Sequence, residues 1–266
     1  MAHTVTTVGS EQPTQDGEPT PSAFGTTRYW DERYMRDKEP FDWYARYDAL
    51  EGLIEAQAAG KDVEVLHLGC GTSRLGEALC GAGYKYVMNI DISRACVIAQ
   101  LERYASGPHR NNKFMHGNAC ALEFPDESFD LVYSFKVLAH VEGIAQALEE
   151  MKRVTRPGGR IVAEFYNRAS LRTLVKALKP GTRIGSKGDT TDDDVFTRYD
   201  SLPDIEAISP SGLRLETTHG IRIASPLALP FDVPGFGRVW AGFEKALMQT
   251  PLKRFGGFLV VEYSRL

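Results

Sequence analysis

Val63, Val65, Leu66 and Leu68 form a short apolar run that ends abruptly at Gly69 and Gly71. Such a run suits a strand buried on both faces, followed by a tight turn where backbone can approach a ligand closely. Thr72 or Ser73 can cap the next helix, which reads through Ala82 and stops at Gly81 or Gly83. The same alternation recurs downstream. Tyr86–Ile90 is a second apolar strand, Ser93 caps a helix to about Tyr104, Lys113–His116 is a short strand, and Leu131–Ser134 is another. A helix over Gly143–Val154 ends at Arg156-Pro-Gly-Gly159, a turn that opens the strand Arg160–Tyr166. Ser170 caps a helix to about Lys179, and Ser201 with Asp204 has capping-box spacing. Leu213–Ile223 alternates like a strand, Phe236–Met248 reads as a helix, and Phe258–Tyr263 is the closing strand. Strands alternating with helices through short loops predict right-handed crossovers and an α/β, doubly wound, mostly parallel sheet.

The flanks break this rhythm. Residues 1–25 are polar and rich in Thr, Pro and Gly, too poor in apolar surface to offset ordering entropy, and read as a disordered tail. Residues 26–62 form a lid segment ahead of the domain at 63–266: Arg28–Tyr34 and Pro40–Tyr47 interleave aromatics with arginines, and an amphipathic helix follows over Asp48–Ala59. Trp30, Arg33 and Tyr34 fall at i, i+3 and i+4, so one helix face carries two rings and a guanidinium. Such a face either packs on the sheet or covers a cationic ligand. Residues 180–200 form the longest polar stretch inside the domain, a substrate loop or an insertion, and Leu227–Phe236 is broken by prolines.

A net charge of −4 over 266 residues supplies no basic field for nucleic acid. No apolar stretch nears the roughly 20 residues that span a bilayer. Cys70, Cys80, Cys96 and Cys120 lack the paired spacing of a zinc site, so no metal is expected, and four free thiols fit a reducing, cytoplasmic setting.

The candidate chemistry gathers at the strand ends. Asp91 closes the second strand 20 residues after Gly71 (91 − 71), the spacing at which a carboxylate accepts the ribose hydroxyls of an adenosine cofactor. A dinucleotide site wants a third glycine at the helix start for its pyrophosphate, and that position is Arg74. An adenosine cofactor without phosphates follows, of which S-adenosyl-L-methionine is the common one. After the third strand, Asn118 can meet a base edge and Ala119 can offer its amide; a plain Gly-Asn turn is the alternative. His140 lies past the fourth strand at the ligand edge, the first candidate for a general base, with Tyr166 or Glu164 behind it.

Four segments jointly resemble the class I S-adenosylmethionine-dependent methyltransferases: Leu-Gly-Cys-Gly-Thr-Ser at 68–73, Asn-Ile-Asp-Ile-Ser at 89–93, Phe-Pro-Asp-Glu-Ser-Phe-Asp at 124–130 and Arg-Pro-Gly-Gly at 156–159. The front half, through Tyr-Trp-Asp-Glu-Arg-Tyr at 29–34 and Phe-Asp-Trp-Tyr at 41–44, looks like the elongation factor lysine methyltransferase group. The segment Ser134–His140 looks more like methyltransferases of the ubiquinone and menaquinone type. The resemblance implies a Rossmann-like, seven-stranded sheet with an antiparallel last strand. It also implies cofactor contacts from Gly69, Cys70, Gly71, Asp91, Ile92, Asn118, Ala119 and Ser134, with Trp30 and Arg33 closing over the methionine part. Most of the family carries an acid where this chain has His67. The expectation is therefore methyl transfer to a small-molecule acceptor, with no nucleic acid or membrane partner. Protein lysine methylation and a non-catalytic cofactor-binding module are the alternatives.

Overall fold

The computed structural model describes residues 21–36, 54, 60–105, 107, 111–170, 173, 195–224, 236–248 and 250–266. Apart from residues 54, 170 and 173, the expected helices over 48–59 and 170–179 lie outside them, as do most of the 180–200 loop and nearly all of the segment 227–236. Seven strands form one sheet: β1 (Glu64–Leu68), β2 (Tyr86–Asp91), β3 (Asn112–His116), β4 (Phe129–Ser134), β5 (Thr155–Tyr166), β6 (Leu213–Ile221) and β7 (Phe258–Arg265), in the order β3-β2-β1-β4-β5-β7-β6. Only β7 runs antiparallel, to both β5 and β6. The helices are α1 (Pro21–Arg36), α2 (Leu75–Gly81), α3 (Arg94–Tyr104), α4 (Ile144–Val154), α5 (Leu202–Ile208) and α6 (Phe236–Leu247).

The apolar runs of β1 and β4 are explained by burial on both faces. Leu66, Leu68 and Val132 pack with Leu148, Met151 and Val154 of α4 in one core; Val65, Leu131 and Tyr133 pack with Leu79 of α2 and Val260 in the other. Three boundaries differ from expectation. First, α1 starts at Pro21, inside the segment read as a tail. Second, α2 starts after Arg74, whose side chain makes no cap; Ser73 Oγ instead accepts the Leu75 amide at 3.1 Å. Third, β5 begins at Thr155 rather than Arg160. Thr155 pairs with Phe129 and Arg160 with Leu131, so Pro157–Gly159 form an irregularity inside the strand, accommodated by Gly158 at φ +76°. Ser93 caps α3 through the Cys96 amide, and the capping box of Ser201 and Asp204 opens α5, both as expected.

A buried polar row crosses β1, β2 and β3. Asn89 Nδ2 donates to Asn112 Oδ1 (2.7 Å) and to the Lys113 carbonyl (2.9 Å). Its Oδ1 therefore faces His67 Nδ1 at 3.1 Å and accepts that N–H. The imidazole stacks on Tyr133 with centroids 4.3 Å apart. Gly76 of α2 lies on this row; a Cβ there would meet Asn112 Oδ1 at 2.7 Å and Asn89 Oδ1 at 2.8 Å.

Burial lowers the His67 pKa from 6.5 to about 4, with the Asn89 hydrogen bond opposing. The folded chain thus resists a proton that the unfolded chain accepts near pH 6.5. Stability from this group is present at neutral pH and is lost as pH falls from about 6.5 to about 4, by about 3 kcal/mol. His67→Gln, which keeps a donor for Asn89, should flatten that part of the profile in urea melts at pH 7, 5.5 and 4.5. A profile as steep as the parent's would show that another group is responsible.

Candidate functional site

The site lies at the C-terminal ends of β1, β2 and β4, where open α/β sheets bind ligands. Gly69 and Gly71 hold φ of +71° and +50°. Their missing side chains also make room: a Cβ on Gly69 would strike Val137 Cγ2 at 2.2 Å, and one on Gly71 would meet the Tyr34 hydroxyl at 2.7 Å. The Gly69 and Cys70 amides both donate to the Ile90 carbonyl, at 2.8 and 2.9 Å, which ties the turn to β2.

Asp91 is the joint between two loops. One carboxylate oxygen accepts the Gly71 amide and the other the Ser93 amide, at 2.8 and 2.9 Å, with Ile92 half-buried between. Burial pushes this carboxyl above the ordinary aspartate range, and the Ser93 and Gly71 amides pull against it. Gln100, buried in α3, donates to the Gly71 carbonyl at 2.8 Å and grips the same turn from below.

From above, α1 covers the turn. Asp31 Oδ1 accepts the Ser93 hydroxyl at 2.6 Å and the Ala95 amide at 3.2 Å, so an acid of α1 sits on the N-terminus of α3. Arg33 and Tyr34 are buried by this docking, and Trp30 meets the His140 ring edge-on with centroids 5.5 Å apart. Neither Asp31 nor Gln100 was marked by the sequence. Each is a polar residue in a helical stretch, and its target lies far away along the chain.

His140 ends a short 3₁₀ turn, Leu138–His140, after β4. Its Nδ1 lies 3.0 Å from the Phe196 carbonyl, which can only accept, so Nδ1 is the donor and Nε2 is the acceptor nitrogen of the neutral ring. Nε2 lies 3.4 Å from the Tyr166 hydroxyl, whose ring meets the imidazole edge-on at 5.5 Å. The two expected catalytic residues are thus in contact. Glu164, buried on β5, pairs with Lys136 Nζ at 2.6 Å, and Lys136 takes a positive φ of 61°.

Two of the residues expected at the cofactor also make contacts within the fold. The Ser134 hydroxyl is buried on the Leu68 carbonyl at 3.1 Å, bracing β4 against β1. Asn118 Oδ1 accepts the Cys120 amide at 2.9 Å within a turn closed by the Ala121 amide on the Asn118 carbonyl, so that oxygen serves the turn. Ala119 sits half-buried beside it. Cys70 is buried, with its thiol toward Cys96 and Asp91.

A glycine turn after β1, an acid closing β2 and a seven-stranded sheet whose last strand is reversed define a Rossmann-like methyltransferase domain. Known proteins agree. Residues 66–163 match the family described as "Methyltransferase domain". The Bos taurus protein named "eEF1A lysine and N-terminal methyltransferase" is 33% identical over 172 residues, 61% of this chain and 24% of that protein, so the chain spans about a quarter of that relative's length. A Mycolicibacterium smegmatis protein named "Probable S-adenosylmethionine-dependent methyltransferase" is 29% identical over 210 residues, 79% of this chain and 74% of that one. In fold, a chain in the complex between the Haloferax volcanii Trm112 methyltransferase activator and a methyltransferase superposes with a TM-score of 0.61 at 21% identity, covering 90% of this chain and 97% of its own. Residues 66–163 thus carry a methyltransferase domain, and the chain is similar to S-adenosylmethionine-dependent methyltransferases, whose cofactor is S-adenosylmethionine.

The residues fit that cofactor. The buried Asp91 carboxylate faces the turn, and Gly69 and Gly71 leave a cradle that side chains would fill. Asp91→Ala should weaken S-adenosylhomocysteine binding at least tenfold by calorimetry, since a hydrogen bond to a charged group contributes about 1.5–3 kcal/mol. Affinity equal to the parent's would remove the ribose assignment. Asp31→Ala should release α1, read as faster amide exchange over Thr27–Met35, and raise the dissociation constant without touching the ribose contact. Unchanged exchange would mean that α1 is held by other contacts.

Proposed function

We propose that the chain transfers the methyl group of S-adenosylmethionine to a small-molecule acceptor whose nucleophile must lose a proton, a hydroxyl or an ammonium. The observation that carries this reading is the pair of contacts made by His140, Nδ1 to the Phe196 carbonyl and Nε2 to the Tyr166 hydroxyl. With Nδ1–H committed to the Phe196 carbonyl, Nε2 is left as a proton acceptor beside Tyr166, at the sheet edge where the cofactor turn lies. The bound cofactor supplies an electrophilic methyl carbon on a sulfonium.

The chain's own residues then have distinct tasks. Asp91 and the Gly69–Gly71 turn hold the adenosine. Trp30 places an aromatic edge beside His140 and, with Arg33 and Tyr34, excludes water from the turn. His140 Nε2 takes the acceptor's proton, and the Phe196 carbonyl stabilises the imidazolium that results. Segment 196–198 lies directly on the catalytic turn, with the Arg198 amide donating to the Ala139 carbonyl at 2.8 Å and Thr197 Oγ1 3.3 Å from His140 Nδ1. That cover narrows the approach to His140 and supports a small acceptor.

Protein lysine methylation is the second reading, favoured by relatives named as eEF1A lysine methyltransferases. Incubation with methyl-labelled cofactor and separated protein and metabolite extracts distinguishes the two. Label in the metabolite fraction is the expected outcome; label confined to protein bands would reverse the order.

His140→Gln keeps a donor for the Phe196 carbonyl and removes the base. Turnover on the acceptor so found should fall about 10²–10⁴-fold, the usual range for a general base, with S-adenosylhomocysteine affinity within a factor of about two. Parent-like turnover would remove His140 from the mechanism.

A further inference from the structure

Beside the cofactor turn lies a group of three side chains to which the methyl-transfer reading gives no common role. Cys70 follows β1, Asp91 ends β2 and Cys96 lies in the first turn of α3. The fold brings both sulfurs and a carboxylate oxygen of Asp91 within 4.8 Å of one another, all three residues buried. The neighbouring Cys96 sulfur and burial push the Cys70 thiol well above its ordinary range. This is an inert arrangement for a nucleophile and a suitable donor set for a soft ion.

We propose that Cys70, Cys96 and Asp91 bind one soft divalent cation, zinc or cadmium, and that this ion and the cofactor exclude each other. The dimensions agree. Metal–sulfur bonds of about 2.3 Å and metal–oxygen bonds of about 2.0–2.2 Å in a tetrahedral shell place ligand atoms roughly 3.5–4 Å apart, and the 4.8 Å span closes to that with small rotations of two Cys side chains. The step balances without any redox change. Two S–H bonds break, both protons pass to solvent, two metal–sulfur bonds and one metal–oxygen bond form, and a water completes the shell.

Exclusion follows from Asp91, which holds the Gly71 and Ser93 amides and is the acceptor assigned to the ribose. A carboxylate drawn onto an ion beside Cys70 no longer presents that acceptor. Entry shares the cofactor's route, because α1 lies over the turn through Asp31 and Tyr34. Competition rests on the cofactor reading given above; binding of the ion does not.

The test uses the full chain, kept reduced with a phosphine that does not bind metal. Cadmium is titrated at pH 8 while the ultraviolet sulfur-to-cadmium charge-transfer band is followed, and zinc binding is read by equilibrium dialysis. The expected result is saturation at one ion per chain with release of about two protons. The band should disappear in Cys96→Ala, which keeps parent affinity for S-adenosylhomocysteine, and should weaken at least tenfold in Cys70→Ser; Cys80→Ala should leave it intact. Saturating S-adenosylhomocysteine should raise the apparent cadmium dissociation constant at least tenfold. Absence of a band saturating at one equivalent, or its survival in both Cys96→Ala and Cys70→Ser, overturns the site. Independent binding of ion and S-adenosylhomocysteine overturns the exclusion. A chain that binds cadmium in this pattern but no S-adenosylhomocysteine leaves the site standing and refutes the cofactor reading instead.

Discussion

The pair of hydrogen bonds from Gly71 and Ser93 to Asp91 sets the geometry on which the site depends. Two loops that follow adjacent parallel strands would otherwise move independently. One carboxylate, with one oxygen for each, makes them a single rigid edge. The amides and the N-terminus of α3 help to offset the cost of burying its charge. Asp31 uses the same helix end to dock α1, and its charge adds to the upward pressure on the Asp91 carboxyl. Closing the site and holding its acid therefore draw on one positive end of one helix.

A second constraint lies under the turn. At position 67 a neutral histidine spends its proton inward on Asn89 and stacks on Tyr133. β1 is thereby joined to β2 and β3 by side chains as well as backbone, and α2 must present glycine at position 76 to sit on the row. The His67 side chain is thus engaged inside the sheet. On the other side of the turn, Tyr34 of α1 approaches Gly71 and is buried together with Arg33.

The sheet was legible because its central strands are buried on both faces, which leaves largely apolar runs such as Val63–Leu68 and Leu131–Ser134. Asp91 was legible because spacing from a glycine turn is a local signal. Residues that act through space were not. Gln100 looks like any polar helical residue until α3 is laid against the turn, and Asp31 sits among exposed-looking charges. The start of β5 was missed because Pro157–Gly159, a strong break in isolation, is carried inside the strand by a bulge. The Tyr166 contact with His140 joins two strands whose adjacency only the sheet order supplies. Cys70 and Cys96 show no metal spacing because their neighbourhood is made by a strand end and a helix start rather than by a knuckle.

The docking of α1 bears on where this domain begins. The family match starts at residue 66, within β1, and a fragment cut there would also lose Glu64, whose amide is fastened to Asp130 at 2.8 Å. It would lose the whole of α1 as well, leaving the α3 N-terminus without Asp31 and the glycine turn open to water. Such a fragment holds the glycine turn and Asp91 and lacks the helix that covers them. The folded unit is therefore larger than the stretch by which it is recognised, since α1 packs on the glycine turn and the α3 N-terminus from outside that stretch.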